Sequence, residues 1–233
     1  MRIKAVIFDL FGTLIENFSR SAYHQNLAKM AQVLNLDSQK FIEKWSQIYP
    51  QRVLGFCHSP DGCIDYITSE LGQIVQPAQK LAASQLRYDF VKQRLNPSLE
   101  TIDALKELKN RGLKIGLLSD CSTEIPELWL KTTLVSLFDT TTFSCVENIR
   151  KPMPQIYMFT AERLGVEPMD CIFVGDGGSL ELTGAARIGM HPIRIQIKHS
   201  TSDAICIDPD PWVGTTIHSP KKVLQIINQM ERL

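Results

Sequence analysis

The chain has 233 residues, 44% of them hydrophobic and 21% charged, as expected of one large globular domain or of a core carrying an inserted subdomain. Its 25 Lys and Arg balance 25 Asp and Glu, so there is no basic excess to neutralise nucleic-acid phosphates and no charged tail. No apolar run has the length of a bilayer span, and the N-terminus lacks the long apolar region and small-residue cleavage site of a signal peptide. These features argue against a nucleic-acid or membrane partner and lead us to expect a cytoplasmic protein.

The first strand-like run is "AVIF" (5–8). From residue 16 to about 95 the apolar residues keep a helical rhythm with no strand between them, and Asn96 and Pro97 close this block. "LETIDALKELKNRG" (99–112) places Ile102, Leu105 and Leu108 on one stripe and ends at Gly112, a helix stop. "KIGLL" (114–118) reads as a strand, "MPQIYMFTAERLG" (153–165) as a helix, "CIFV" (171–174) as a strand, "SLELTGAARIGM" (179–190) as a helix and "PIRIQI" (192–197) as a strand. Strands alternating with helices predict an α/β fold with a Rossmann-like parallel sheet. The expected division is a core of residues 1–15 plus 97–233, with residues 16–96 inserted as a helical domain.

Six cysteines (57, 63, 121, 145, 171 and 206) include no CxxC pair and no zinc spacing, so free thiols in a reducing compartment are expected. Cys57 and Cys63 are near enough in sequence to be a redox pair, and Cys121 is a candidate reactive thiol beside a candidate active-site turn.

In an open parallel sheet, ligands bind at the carboxyl ends of the strands. Asp9 follows "VIF", Ser119 and Asp120 follow "IGLL", and Asp176 follows "IFVG", so three runs deliver polar groups to one edge. Lys151, in "NIRKPMP", can reach that edge from the side. Asp9 is a candidate nucleophile for phosphorus or carbon. Asp9 and Asp176 together can hold Mg²⁺, which prefers oxygen ligands. Ser119 can hydrogen-bond a phosphate oxygen, and Lys151 can neutralise charge on the nucleophile and the transferred group. Taken singly, each has a plainer reading: Asp9, Ser119 and Asp120 as caps, Lys151 as a surface lysine, Asp176 as a turn residue.

"FDLFGTL" (8–14), "LLSD" (117–120), "RKPMP" (150–154) and "VGDGGSLELTGA" (174–185) stand in an order and spacing that resemble the haloacid dehalogenase (HAD) superfamily of hydrolases. The helical insert is similar to that family's C1-type cap. The resemblance implies that Asp9 is the nucleophile, that Thr13 supports its loop, that Ser119 binds the transferring group and that Lys151 stabilises charge. It also implies a Mg²⁺ site made by Asp9, the main-chain oxygen of Phe11 and Asp176. Glu181 stands where a further acidic residue assists, its longer reach placing it farther from the ion. Met153 replaces the acidic residue common after "KP".

Phosphatase members carry a second aspartate where this chain has Phe11. That residue protonates the leaving group and activates water, which Phe11 cannot do. An aromatic there resembles the dehalogenase branch, whereas the "GDGG" turn with Asp176 resembles Mg²⁺-dependent phosphohydrolases. Two enzyme readings therefore stand: a phosphohydrolase acting on a small phosphorylated metabolite, favoured, and a 2-haloacid dehalogenase. A catalytically weak binding or regulatory module is a third. His24, His58 and Asp61 are candidates to replace the missing acid. Trp45, Tyr49 and Phe56 read as packing residues of the insert, and "DPDP" (208–211) as a rigid surface turn.

Overall fold

The computed structural model describes residues 2–197 and 203–232. Six parallel strands form one sheet: β1 (Ala5–Phe8), β2 (Lys114–Ser119), β3 (Thr140–Phe143), β4 (Cys171–Gly175), β5 (His191–Ile195) and β6 (Thr216–Ile217), in the order β3-β2-β1-β4-β5-β6. Five helices lie between β1 and the core's first crossover helix: α1 (Arg20–Val33), α2 (Ser38–Gln47), α3 (Tyr49–Val53), α4 (Pro60–Glu70) and α5 (Pro77–Arg94). They are followed by α6 (Leu99–Asn110), α7 (Glu124–Trp129), α8 (Ser144–Glu147), α9 (Pro154–Leu164), α10 (Glu181–Arg187) and α11 (Lys222–Met230). No described helix is long and apolar enough to cross a membrane.

Alternation along the strands sorts their side chains into two layers. Val6 and Phe8 of β1 face one way with Ile115, Leu117, Ile172 and Val174, onto α6 and α11. Ala5 and Ile7 face the other way with Leu118 and Phe173, onto α9 and α10. Strands covered on both faces read as continuous apolar runs, which is why three of them are plain in the sequence. β3, "TTTF", and β6, two residues long, are not.

The helical block has its own apolar centre, built from Leu27, Met30, Phe41, Trp45, Ile64, Ile67 and Ala83. Side chains of Ser19, Asp37 and Ser59 accept from the first free amides of α1, α2 and α4 and fix where these helices begin. Trp45 is in this centre as expected. Phe56 is instead 55% exposed, and Tyr49 is half-buried against a cavity, so neither is an interior packing residue.

All six cysteines are free, and only Cys206 is exposed. Burial and its neighbour Cys145, whose sulfur is 3.9 Å away, push the Cys121 thiol well above the ordinary value, which opposes the reactivity its position suggested. Cys57 and Cys63 are both free and buried. "DPDP" is not a simple surface turn either. Asp210 is buried and accepts from the Thr183 amide at 2.7 Å and the Trp212 amide at 2.9 Å, which ties residues 207–212 to α10.

One buried ion pair joins the block to the core. Arg87 of α5 meets Glu124 of α7 at 2.8 Å, with both side chains 3% exposed. Ser122 also donates to Glu124, and the guanidinium lies over the rings of Phe18, Tyr23, Trp45 and Phe90. Although burial opposes it, the Arg87 charge holds the Glu124 carboxyl below its ordinary value. Replacing Arg87 by Gln strands that carboxylate, and urea unfolding at neutral pH is expected to show a loss of about 3–5 kcal/mol. Replacing both residues with apolar ones should recover most of it. A loss below about 1 kcal/mol in the single variant would show that the pair does not tie α5 to α7.

Candidate active site

The sheet order places β1 between β2 and β4. Crossovers leave it in opposite directions, and a crevice opens at the carboxyl ends of β1 and β4. Asp9 is the first residue past β1, and its amide continues the ladder to the Val174 carbonyl at 2.9 Å. Asp176 is the first residue past β4. The loop after Asp9 turns at once because Gly12 has φ of +78°. A Cβ there would fall on Asp176 Oδ2, so glycine both makes the turn and lets the two loops touch.

Lys151 reaches this crevice from the segment before α9. Its amide donates to Asp120 Oδ1 at 3.0 Å, and its ammonium donates to Asp9 Oδ1 at 2.6 Å and to Glu181 Oε2. The side chain is 3% exposed. Glu181, at the start of α10, also accepts from the Gly177 amide at 2.9 Å. It is more central than its length suggested, because α10 follows a tight turn with Ser179 and Leu180 in left-handed conformation and because a Cβ at Gly175 would clash with its carboxyl. Asn17, which the sequence did not single out, donates to Asp176 Oδ2 at 3.2 Å.

Four carboxyls thus surround one ammonium, and the balance of charge is negative. Burial and the Asp9 charge push Asp176 up to about 6. Burial raises Glu181 well above its ordinary value, and Asp120 above its own, although Lys151 pulls both down. Burial works against the Lys151 charge, but Asp9, Glu181 and Asp120 outweigh it and hold the ammonium well above its usual range. One carboxylate oxygen each from Asp9, Asp176 and Glu181 lies within 4.8 Å of the others. An all-oxygen donor set with surplus negative charge fits a hard divalent cation such as Mg²⁺. Nothing among the described residues donates to the Phe11 carbonyl.

Thr13 and Ser119 are fully buried, and neither hydroxyl has a hydrogen-bond partner among the described residues. Thr13 therefore makes no side-chain hydrogen bond to Asp9. Ser119 does not line the cavity above the site, whereas the next residues, Asp120, Cys121 and Ser122, do.

That cavity, about 600 Å³, lies between the strand ends and the helical block. Asp9, Asp176 and Lys151 are at its floor, with Phe11, Tyr23, Tyr49 and Arg52 also lining it. The Phe11 ring packs on Phe18 with centroids 4.8 Å apart, and Phe18 stacks on Phe90 of α5 at 5.4 Å. Of the three candidates to replace an acid at Phe11, only His24 lines the cavity. His58 is exposed in a left-handed turn, and Asp61 is bound by Ser84.

The model of the haloacid dehalogenase-like hydrolases matches residues 3–189. A glyceraldehyde 3-phosphate phosphatase of Methanopyrus kandleri is 24% identical over 99% of both chains. An (S)-2-haloacid dehalogenase of Burkholderia cepacia is 26% identical over 83% of both. Among solved structures, a HAD-family enzyme of Bacteroides thetaiotaomicron in complex with magnesium superposes with a TM-score of 0.67 at 23% identity, covering 87% of this chain and 98% of its own. The match spans the strands that carry Asp9, Ser119 and Asp176, together with the segment that carries Lys151, and the chain belongs to the haloacid dehalogenase-like hydrolases.

Proposed function

We propose that this hydrolase is a Mg²⁺-dependent phosphohydrolase of small phosphorylated metabolites, with Asp9 as nucleophile. The observation that carries this is the state of the Asp9 carboxylate. Lys151 holds Oδ1, no described residue donates to Oδ2, and Asp176 stands beside it in a site with more negative charge than Lys151 can balance. A cavity of about 600 Å³ suits a small molecule. The phosphatase named for glyceraldehyde 3-phosphate matches this chain along almost its whole length, which favours phosphorus over a carbon–halogen bond as the target.

In this reading Asp9 Oδ2 attacks phosphorus, the ester P–O bond breaks, and the leaving group departs as the alkoxide or aryloxide with the P–O electron pair and takes its proton from solvent water. Water then attacks the phosphorus of the aspartyl phosphate and releases inorganic phosphate and the free carboxylate. Lys151 orients Asp9 through its hydrogen bond to Oδ1 and offsets charge on the transferred group. Mg²⁺ held by Asp9, Asp176 and the Phe11 carbonyl would neutralise the phosphate as it meets a carboxylate. Thr13 supports the Asp9 loop by filling it, and Ser119, buried at the end of β2 with an unpartnered hydroxyl, would have to turn that hydroxyl into the cavity to meet the transferring group. Because Phe11 has no proton to give, substrates with a good leaving group should react best. Residues 16–96 act as a cap over residues 1–15 plus 97–233. The 2-haloacid dehalogenase reading has two observations in its favour: Phe11 lines the cavity, where halide could leave without an acid, and the Burkholderia cepacia dehalogenase matches 83% of the chain.

Phosphate release from an aryl phosphate is expected to require Mg²⁺, to stop with EDTA, and to fall by about 10³-fold or more in Asp9→Asn. Halide release from 2-chloropropionate that persists in EDTA, with no phosphate release, would overturn the assignment in favour of dehalogenation.

A second expectation follows from Asp176. Its folded value of about 6 exceeds its ordinary 3.8, so between the two the folded state holds more protons than the unfolded one. Stability of the metal-free protein should therefore fall as pH rises through this window. Mg²⁺ should raise Tm more at about pH 7.5 than at about pH 5, since bound metal displaces the proton. Asp176→Asn should raise the metal-free Tm at the higher pH and remove the Mg²⁺ shift. Equal Mg²⁺ shifts at both pH values, or one retained in Asp176→Asn, would contradict this placement of the ion.

A further inference from the structure

Two arginines are buried in the helical block beside the cavity, and they differ in one respect. Arg87 has Glu124. Arg52, on α3, is 4% exposed and has no carboxylate within ion-pair distance among the described residues. Its Nε is buried without a partner, its one hydrogen bond is a long one to the Tyr23 hydroxyl at 3.4 Å, and no described residue accepts from Nη1. A buried guanidinium without an acid is costly unless an anion arrives to meet it. Aromatic faces hold it in place meanwhile: the Trp45 ring at 4.8 Å and the Tyr49 ring at 5.7 Å.

Arg52 lines the same cavity as Asp9 and Lys151. Tyr49 lines that cavity too, with its ring 5.7 Å from the Arg52 guanidinium. We propose that Arg52 is the receptor for a carboxylate at the far end of the substrate, so that the enzyme prefers short phosphate monoesters carrying a carboxylic acid over neutral ones. The inference rests on the phosphohydrolase reading for the phosphate end alone. A guanidinium with a free edge matches a carboxylate in shape, and its single charge matches a monoanion. Arg87 cannot share the role, because Glu124 already neutralises it.

The test is calorimetric binding of 2-phosphoglycolate and of 2-hydroxyethyl phosphate, esters of the same chain length, in the presence of Mg²⁺. The proteins are Asp9→Asn, which suppresses turnover, and the same variant carrying Arg52→Gln or Arg52→Lys. The carboxylate ester is expected to bind about 10-fold tighter or better to Asp9→Asn, the preference to vanish with Arg52→Gln, and part of it to survive with Arg52→Lys. Without ligand, Arg52→Gln should hold or raise Tm, since it removes an unpaired buried charge. A Tm loss as large as that of Arg87→Gln would mark Arg52 as structural and overturn the proposal. So would equal affinity for the two esters, binding of neither, or a preference unchanged by Arg52→Gln. Phosphate release by the wild-type protein judges the phosphohydrolase reading separately. A wild type that releases no phosphate from an aryl phosphate or from either ester, with an Arg52-dependent carboxylate preference intact, would sink that reading and support the role of Arg52.

Discussion

A single ammonium, that of Lys151, sits among Asp9, Asp120, Asp176 and Glu181 in a site almost closed to water, and the geometry around it follows from that imbalance. Lys151 fixes one oxygen of Asp9 and one of Glu181. It does not neutralise the rest; burial and the Asp9 charge drive Asp176 to about 6, and the cluster is left with an appetite for positive charge. The surrounding backbone is shaped to permit this crowding. Gly12 and Gly175 withhold the side chains that would strike Asp176 and Glu181, and the segment ending at Asp210 braces the turn between β4 and α10 through backbone bonds to Gly177, Ser179 and Leu180.

Above that floor the insert supplies a different kind of order. Phe11 leaves the Asp9 loop and joins Phe18 and Phe90, and the buried Arg87–Glu124 pair locks α5 to α7 across the same seam. Phe11 thus gives the Asp9 loop an apolar anchor to the roof. The strand ends and the helices supply residues far apart in the chain that face one cavity.

Much of this was legible because buried parallel strands have short, apolar sequences that end at their polar residues. "AVIF" before Asp9 and "CIFV" ahead of Asp176 are of that kind, and register brings Phe8 beside Val174. β3 was hidden because three of its residues are threonines, and β6 because it is only two residues long. Side-chain length alone does not place Glu181, one carboxylate oxygen of which lies within 4.8 Å of those of Asp9 and Asp176. The left-handed turn at Ser179 and Leu180, which brings it there, has no glycine at those positions to announce it. Asp210 looked like surface because prolines flank it, yet its oxygens hold the amides of Thr183 and Trp212. Arg52 and Tyr49 could not be found from motifs at all. Their role depends on which face of a short helix meets the cavity, and five residues carry no periodic signal.

The central claim is that Asp9 takes a phosphoryl group. Rapid acid quench of the wild-type protein during turnover of an aryl phosphate, followed by mass spectrometry of the peptide carrying Asp9, tests it most directly. The account predicts one added phosphoryl group on Asp9, formed with Mg²⁺ and absent with EDTA. A phosphoryl group on another residue would contradict it, and so would an ester bond from Asp9 to C2 of propionate, formed from 2-chloropropionate in EDTA with loss of chloride, when no phosphoryl adduct is ever seen.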